Sequence, residues 1–184
     1  MQWLLESASH EVITFPSAQA FLDNFNGEIG CMLLDVRMPE INGLALQQIM
    51  QDRDIQMPII VLSGHGDIPM AVSAMKHGAL DFLEKPFDDE VLLRLVDKAL
   101  KRADEMRHEQ GELNEIQICY ESLSRREKEV MNLVVTGKAN REIAEELGIS
   151  PKTVEVHRAR VMSKMRASSL PVLVQQAARL TETA

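Results

Sequence analysis

Three residues stand where an apolar run gives way to turn chemistry. Asp35 follows Cys31-Met32-Leu33-Leu34, Ser63 follows Ile59-Ile60-Val61-Leu62, and Lys85 follows Leu80-Asp81-Phe82-Leu83-Glu84. A single carboxylate in such a place is commonly a turn residue whose oxygens take nearby backbone N–H groups. A carboxylate, a hydroxyl and an ammonium at three successive run ends can do more. Carboxylate oxygen can attack phosphorus and form an acyl phosphate. The charge that gathers on the phosphoryl oxygens then needs a cation and a hydrogen-bond donor, which Lys85 and Ser63 can supply.

The elements that must hold these residues follow from the pattern. Apolar runs of four to eight residues bounded by turn signals suit strands buried on both faces of a parallel sheet. In open α/β sheets the chemistry gathers at the carboxyl ends of such strands. Helices are predicted between them: Ala18–Phe25 behind the N-cap Ser17, Leu44–Gln51 after the Asn42-Gly43 turn, and Pro69–His77 ended by Gly78. Met1–Ser9 looks like the end of a helix, and His10–Phe15 (HEVITF) partly alternates and reads as a strand. A long helical pattern opens at Asp88 and passes into the charge-rich stretch Lys101–Glu115, a solvated helix or linker. Strands alternating with helices predict a parallel α/β sheet with right-handed crossovers.

The bulk numbers permit two domains. The chain has 184 residues, 45% hydrophobic and 26% charged, and no apolar run approaches the roughly 20 residues of a membrane span. The start, MQWLLESASH, lacks the basic region of a secretory signal. Two cysteines, Cys31 and Cys119, give no disulfide framework and fit a reducing cytoplasm. Residues 1–118 hold 9 Lys and Arg against 20 Asp and Glu; residues 119–184 hold 11 against 8. An acidic front and a basic rear point to different partners, and only the rear suits a polyanion.

The rear is all helix. Ser124-Arg125-Arg126-Glu127 has the capping-box pattern, Asn140 is placed to cap a second short helix that ends at Gly148, and Ser150-Pro151 opens a third. A fourth runs from about Leu170 to Leu180. Two short helices joined by a tight turn are a helix-turn-helix pattern, whose plainer twin is a small protein-binding bundle. At 100° per residue, Val154, Val161 and Met165 form one buried stripe of the third helix, opposite Lys152, Val156, Ala159 and Ser163. An outward face of small and polar side chains can enter a major groove, and Arg158, Arg160, Lys164 and Arg166 carry the charge that phosphate contact requires. Glu155 could accept from cytosine N4, but an acid in a first helical turn also suits the helix dipole.

LLDVRMPEINGL, VLSGHGD and DFLEKPF resemble the receiver domain of response regulators, the NarL/FixJ group in particular. LSRREKEVMNLVVTGKANREIAEELGISPKTVEVHRARVMSKM resembles a LuxR-type helix-turn-helix. The resemblance implies a flavodoxin-like doubly wound receiver domain over 1–100, a helical linker over 101–118, and an all-α four-helix DNA-binding domain over 119–184. It implies that Asp35 is a phosphoacceptor, that Lys85 is its ion-pair partner before a cis Pro86, that Ser63 is the switch hydroxyl and Phe82 the coupled aromatic. It further implies Mg²⁺ on Asp35 and the Arg37 backbone carbonyl. His65 lies beside the site and reads as a loop histidine. Lys152, Thr153, Glu155, Val156 and Ala159 are expected on the base side, with Arg160 flanking them; Lys138, Asn140, Arg158 and Lys164 are expected at phosphate. The partners implied are promoter DNA, a sensor histidine kinase, RNA polymerase and a second copy on activation, in the cytoplasm with no membrane.

One departure is large. The family begins with a strand that ends in two acids, and neither precedes HEVITF here. Typical element lengths put about 15–20 further residues before Met1, so an N-terminally incomplete receiver is expected. The two acids are ligands that a hard cation relies on. A regulator that binds DNA without phosphorylation is the alternative, and failure of Asp35 to take a phosphoryl group would favour it. A dehalogenase-type phosphatase also uses a strand-end Asp but wants a second Asp two positions on, where this chain has Arg37.

Overall fold

The computed structural model describes residues 1–64 and 68–181; His65 lies outside the described residues. The chain divides into two compact units, Met1–His108 and Glu109–Ala184.

The first unit is built on three parallel strands, β1 (Met32–Asp35), β2 (Ile59–Ser63) and β3 (Asp81–Glu84), in that spatial order. Around them lie α1 (Gln2–Ser7), α2 (Ala18–Asn24), α3 (Gly43–Asp52), α4 (Ile68–Lys76) and the first part of α5 (Asp89–Glu121). Every residue of β2 is buried. Its side chains alternate between two cores, as strand geometry requires. Ile60 and Leu62 join Leu5, Leu92, Val96 and Ala99, whereas Ile59 and Val61 join Phe21, Leu34, Leu46, Met50 and Ala74. Helices therefore cover both sides of the sheet, the doubly wound arrangement.

Two strand expectations need correction. β1 is not buried throughout: Leu34 is buried, but Met32, Leu33 and Asp35 are only half-buried. It pairs with β2 alone, so its other edge has no described strand beside it. His10–Phe15 is not a strand. Val12 packs inward, while Ile13 is 70% exposed. Alternation offers a strand, but a ladder partner is needed to satisfy its backbone groups.

The helix starts follow side-chain chemistry. Ser17 Oγ accepts from Ala20 N at 3.1 Å. Asn42 is the N-cap of α3, its Oδ1 accepting from Ala45 N at 2.9 Å, so helix begins at Gly43 where a turn is expected. The charge-rich stretch is helical as part of the 33-residue α5, with Arg102 paired to Glu105 at 3.0 Å and Arg107 to Asp104.

The second unit adds α6 (Arg125–Val135), α7 (Asn140–Leu147), α8 (Pro151–Lys164) and α9 (Leu170–Thr181). Val130, Met131, Val134, Ile143, Val154, Val161, Met165 and Leu173 form its core, and Ile116, Cys119 and Tyr120 of α5 pack against it. Asn140 is not a cap. Ala139 is the N-cap of α7, and the Glu142 carboxylate reaches back to Ala139 N at 2.6 Å, which leaves the Asn140 side chain to other work.

The capping box of α6 is complete: Ser124 N donates to Glu127 Oε2 at 2.8 Å, and Glu127 N to Ser124 Oγ at 3.3 Å. The same Glu127 oxygen accepts from Lys164 Nζ at 2.7 Å, and Lys164 also donates to Ser122 O at 3.1 Å. Glu127 is buried, and the Lys164 bond, helped by Ser124, brings its carboxyl from the usual 4.5 down to about 2. A depressed folded-state pKa stabilises above the unfolded value and fades as pH falls through the folded one. The second unit is therefore expected to lose stability between about pH 4.5 and 2. Glu127→Gln should flatten that fall, and Glu127→Ala should cost about 1–3 kcal/mol, both read from denaturant midpoints followed by circular dichroism.

Candidate functional site

Parallel register brings the three strand ends together. Asp35 pairs with Leu62 and Ser63 with Glu84, so Asp35, Ser63 and Lys85 meet at one edge of the sheet. Val36 N donates to Leu62 O at 2.9 Å, and Lys85 N to Ser63 O at 2.7 Å. Lys85 Nζ donates to Asp35 Oδ2, while Arg37 N donates to Asp35 Oδ1 at 3.0 Å. Partial burial pushes the Asp35 carboxyl up, but the Lys85 bond, the Arg37 amide and both cationic charges outweigh it and hold the group below its usual value. The pair is more than a third exposed on each side, so it adds at most about 1 kcal/mol to stability. What it provides is an ionised, oriented carboxylate beside a fixed cation. The Lys85-Pro86 peptide is cis.

Ser63 is buried, and its Oγ donates to Met70 Sδ at 3.5 Å. Met70 and Phe82 are partly buried against the same apolar cluster. Phe82 therefore packs on the same side of the sheet as Met70. Met70 is a contact that nothing in the sequence signals. Gly43 is another, hidden inside an ordinary Asn-Gly pair. A Cβ on it would lie 2.5 Å from the Asp35 carbonyl oxygen and 3.0 Å from Val36 Cα, because α3 begins directly on the backbone that carries the carboxylate.

A hard divalent cation needs about six oxygen ligands, several of them charged. The described residues offer Asp35, already bonded to Lys85, and the Arg37 carbonyl. Among them no group of three His, Cys, Asp or Glu side chains could hold an ion. The described residues do not by themselves fit the implied Mg²⁺.

In the second unit α7 and α8 are joined by a turn in which Gly148 adopts φ 64°, a left-handed conformation natural to glycine. Ser150 Oγ accepts from Thr153 N at 3.0 Å and shares a 2.8 Å hydrogen bond with Thr153 Oγ1, so that hydroxyl is tied to the cap. Val154, Val161 and Met165 are buried, while Lys152, Thr153, Glu155, Val156, Ala159 and Arg160 are exposed. Val156 is 44% exposed, an apolar side chain on an otherwise polar face. Lys152 pairs with Glu155 at 2.9 Å. The four residues expected at phosphate are all engaged within the unit. Arg158 Nη1 donates to Asn140 Oδ1 at 3.1 Å, Lys138 pairs with Glu146, and Lys164 is held by Glu127. Arg126 further joins α6 to α7 by donating to the Leu147 carbonyl. No described helix is long and apolar enough to cross a membrane.

Residues 1–97 match the family described as "Response regulator receiver domain", and residues 121–177 match "Bacterial regulatory proteins, luxR family". The transcriptional regulatory protein FixJ of Azorhizobium caulinodans is 48% identical over 178 residues, 96% of this chain and 84% of that protein. The response regulator protein TodT of Pseudomonas putida is 46% identical over 98% of this chain and 80% of its own. Among solved structures, the response regulator StyR superposes with a TM-score of 0.81 at 40% identity, covering 97% of this chain and 90% of that one. Full-length FixJ from B. japonicum matches at 0.54 and 43% identity, covering 98% and 90%.

The crowding at Gly43 is testable. Gly43→Ala is expected to lower the stability of the first unit by about 1–3 kcal/mol, since its methyl group meets backbone that cannot swing aside. A urea midpoint equal to that of the unsubstituted chain would show that α3 has room to retreat.

Proposed function

Because the chain belongs to the two-component response regulators that join a receiver domain to a luxR-type DNA-binding domain, we propose that Asp35 takes the phosphoryl group and that α8 reads promoter DNA. The chain is a transcription regulator. The observation that carries the proposal is the carboxylate held ionised by Lys85 one strand away from a buried hydroxyl. An Asp35 oxygen attacks phosphorus of a phosphohistidine on a sensor kinase. With the other ring nitrogen of the phosphohistidine protonated, the P–N bond breaks as the P–O bond forms, and the imidazole leaves neutral, keeping that proton and the P–N electron pair. Lys85 balances the phosphoryl charge that accumulates, and Ser63 turns its hydroxyl from Met70 toward a phosphoryl oxygen. No step runs through Mg²⁺, since the described donors do not assemble a site for it. With Arg37 where a phosphatase of this chemistry would hold its second acid, the acyl phosphate is a signal and not a turnover intermediate.

The output follows from α4 and α8. Ile68, Val72 and Met75 recur at helical spacing on α4 and are all exposed, a stripe that a second copy would cover on activation. Two copies would set two reading helices on a twofold DNA site, where RNA polymerase is the partner to be regulated. On α8, Val156 and Ala159 supply apolar contact of the kind that thymine methyls accept, with Lys152, Thr153 and Glu155 on the base side. Arg160 is exposed and suits phosphate, whereas Arg158, Asn140, Lys138 and Lys164 must first leave partners. We place the receiver over 1–100, the helical linker over 101–118 and the DNA-binding domain over 119–184.

Acetyl phosphate is expected to give a retarded band on Phos-tag electrophoresis that Asp35→Asn abolishes; no band from the unsubstituted chain would overturn the proposal. Manganese titration read by electron paramagnetic resonance should show no saturable binding below about 1 mM. Arg160→Ala should weaken DNA binding similarly across sequences and reduce the salt slope by about one, whereas Val156→Ala should alter the preferred sequence.

A further inference from the structure

α4 is held at both ends by side chains from neighbouring elements of its own unit. At its start Met70 receives the Ser63 hydroxyl at 3.5 Å. At its end two amides of α3 reach terminal carbonyls: Gln51 Nε2 donates to His77 O at 3.0 Å, and Gln47 Nε2 to Ala74 O at 3.4 Å. Ala74 O also accepts from Ala79 N at 3.0 Å, so the amide adds to a helix end already closed.

Gln47 is an unusual choice for its place. Its side chain is 1% exposed, its one bond is long, and its Oε1 has no partner among the described residues. An apolar side chain of that size would bury no orphaned acceptor, so core stability alone does not call for an amide there. The far end of α3 gives the amide a purpose. Gly43 N donates to Val36 O at 3.0 Å, and Gly43 abuts the Asp35 backbone. α3 is therefore a strut, seated on the phosphoacceptor strand at one end and gripping the last turn of α4 with Gln47 and Gln51.

We propose that Gln47 and Gln51 are positioning residues that pin the C-terminal end of α4. When Ser63 changes partner, the start of α4 shifts about the pinned end. Ile68 and Val72 then move more than Met75, and the exposed stripe is re-aimed instead of the whole helix drifting. The shift rests on the reading of Ser63 as the switch hydroxyl; the pin does not.

Hydrogen–deuterium exchange on the full chain separates the two. In the resting state, Gln47→Leu combined with Gln51→Leu is expected to speed exchange about tenfold across residues 74–80, with α3, β2 and the second unit unchanged. Gln47→Leu alone should not lower the thermal midpoint, and Gln47→Met serves if leucine packs badly. Gln51→Lys retains a donor for His77 O and should match the unsubstituted chain. Unchanged exchange at 74–80 overturns the pin. So does acceleration spread over the whole first unit with a lowered midpoint, the signature of a mere packing role. If acetyl phosphate leaves α4 exchange in the unsubstituted chain unaltered, the switch reading fails and the shift with it.

Discussion

The central strand β2 is the constraint on which the first unit depends. It has no solvent face, it pairs on both sides, and it divides the apolar residues of the unit into two cores. A one-residue slip of a neighbouring strand would turn that strand's inward side chains outward, so burial on both sides fixes the register. Register then fixes the chemistry. Asp35 and Lys85 stand fifty residues apart in the chain and meet only because β1 and β3 are aligned against the same strand. A weak, half-exposed ion pair could not hold that alignment; the packing of Ile59, Ile60, Val61 and Leu62 does.

A similar division of labour runs through the second unit. Its apolar core brings α6, α7 and α8 together, while a few polar contacts set their angles. Glu127 serves the start of α6 and the end of α8 with one carboxylate, and Arg126 reaches the last turn of α7. The cost is that several cations which could have faced a polyanion are already paired within the unit. The exposed face of α8 sets Val156 and Ala159 among Lys152, Glu155 and Arg160.

Much of this was legible in the residues. Short runs ending in Asp35, Ser63 and Lys85 foretold three parallel strands and their shared edge, although only β2 is buried throughout and flanked on both sides by described strands. Ser17, Ser124, Ser150 and Gly148 marked helix boundaries through local bonds that require no distant partner. The errors have the opposite character. His10–Phe15 alternates as a strand should, yet strand formation depends on a second segment. Asn140 has the chemistry of a cap, but Glu142 reached the amide first and Arg158 claimed the side chain.

The sequence by itself determined the fold class, the order of the two units, the buried stripe of α8 and the identity of the groups that meet at the carboxylate. These rest on periodicity and on interactions within a turn or two, which the chain specifies locally. Only the tertiary structure decided that Gly43 presses on Asp35, that Ser63 bonds Met70, that Lys164 belongs to Glu127, and that two glutamines of α3 grip α4. Each of these joins residues from different elements. Which side chains come within bonding distance there depends on how the whole core closes, a property that no short window of sequence contains.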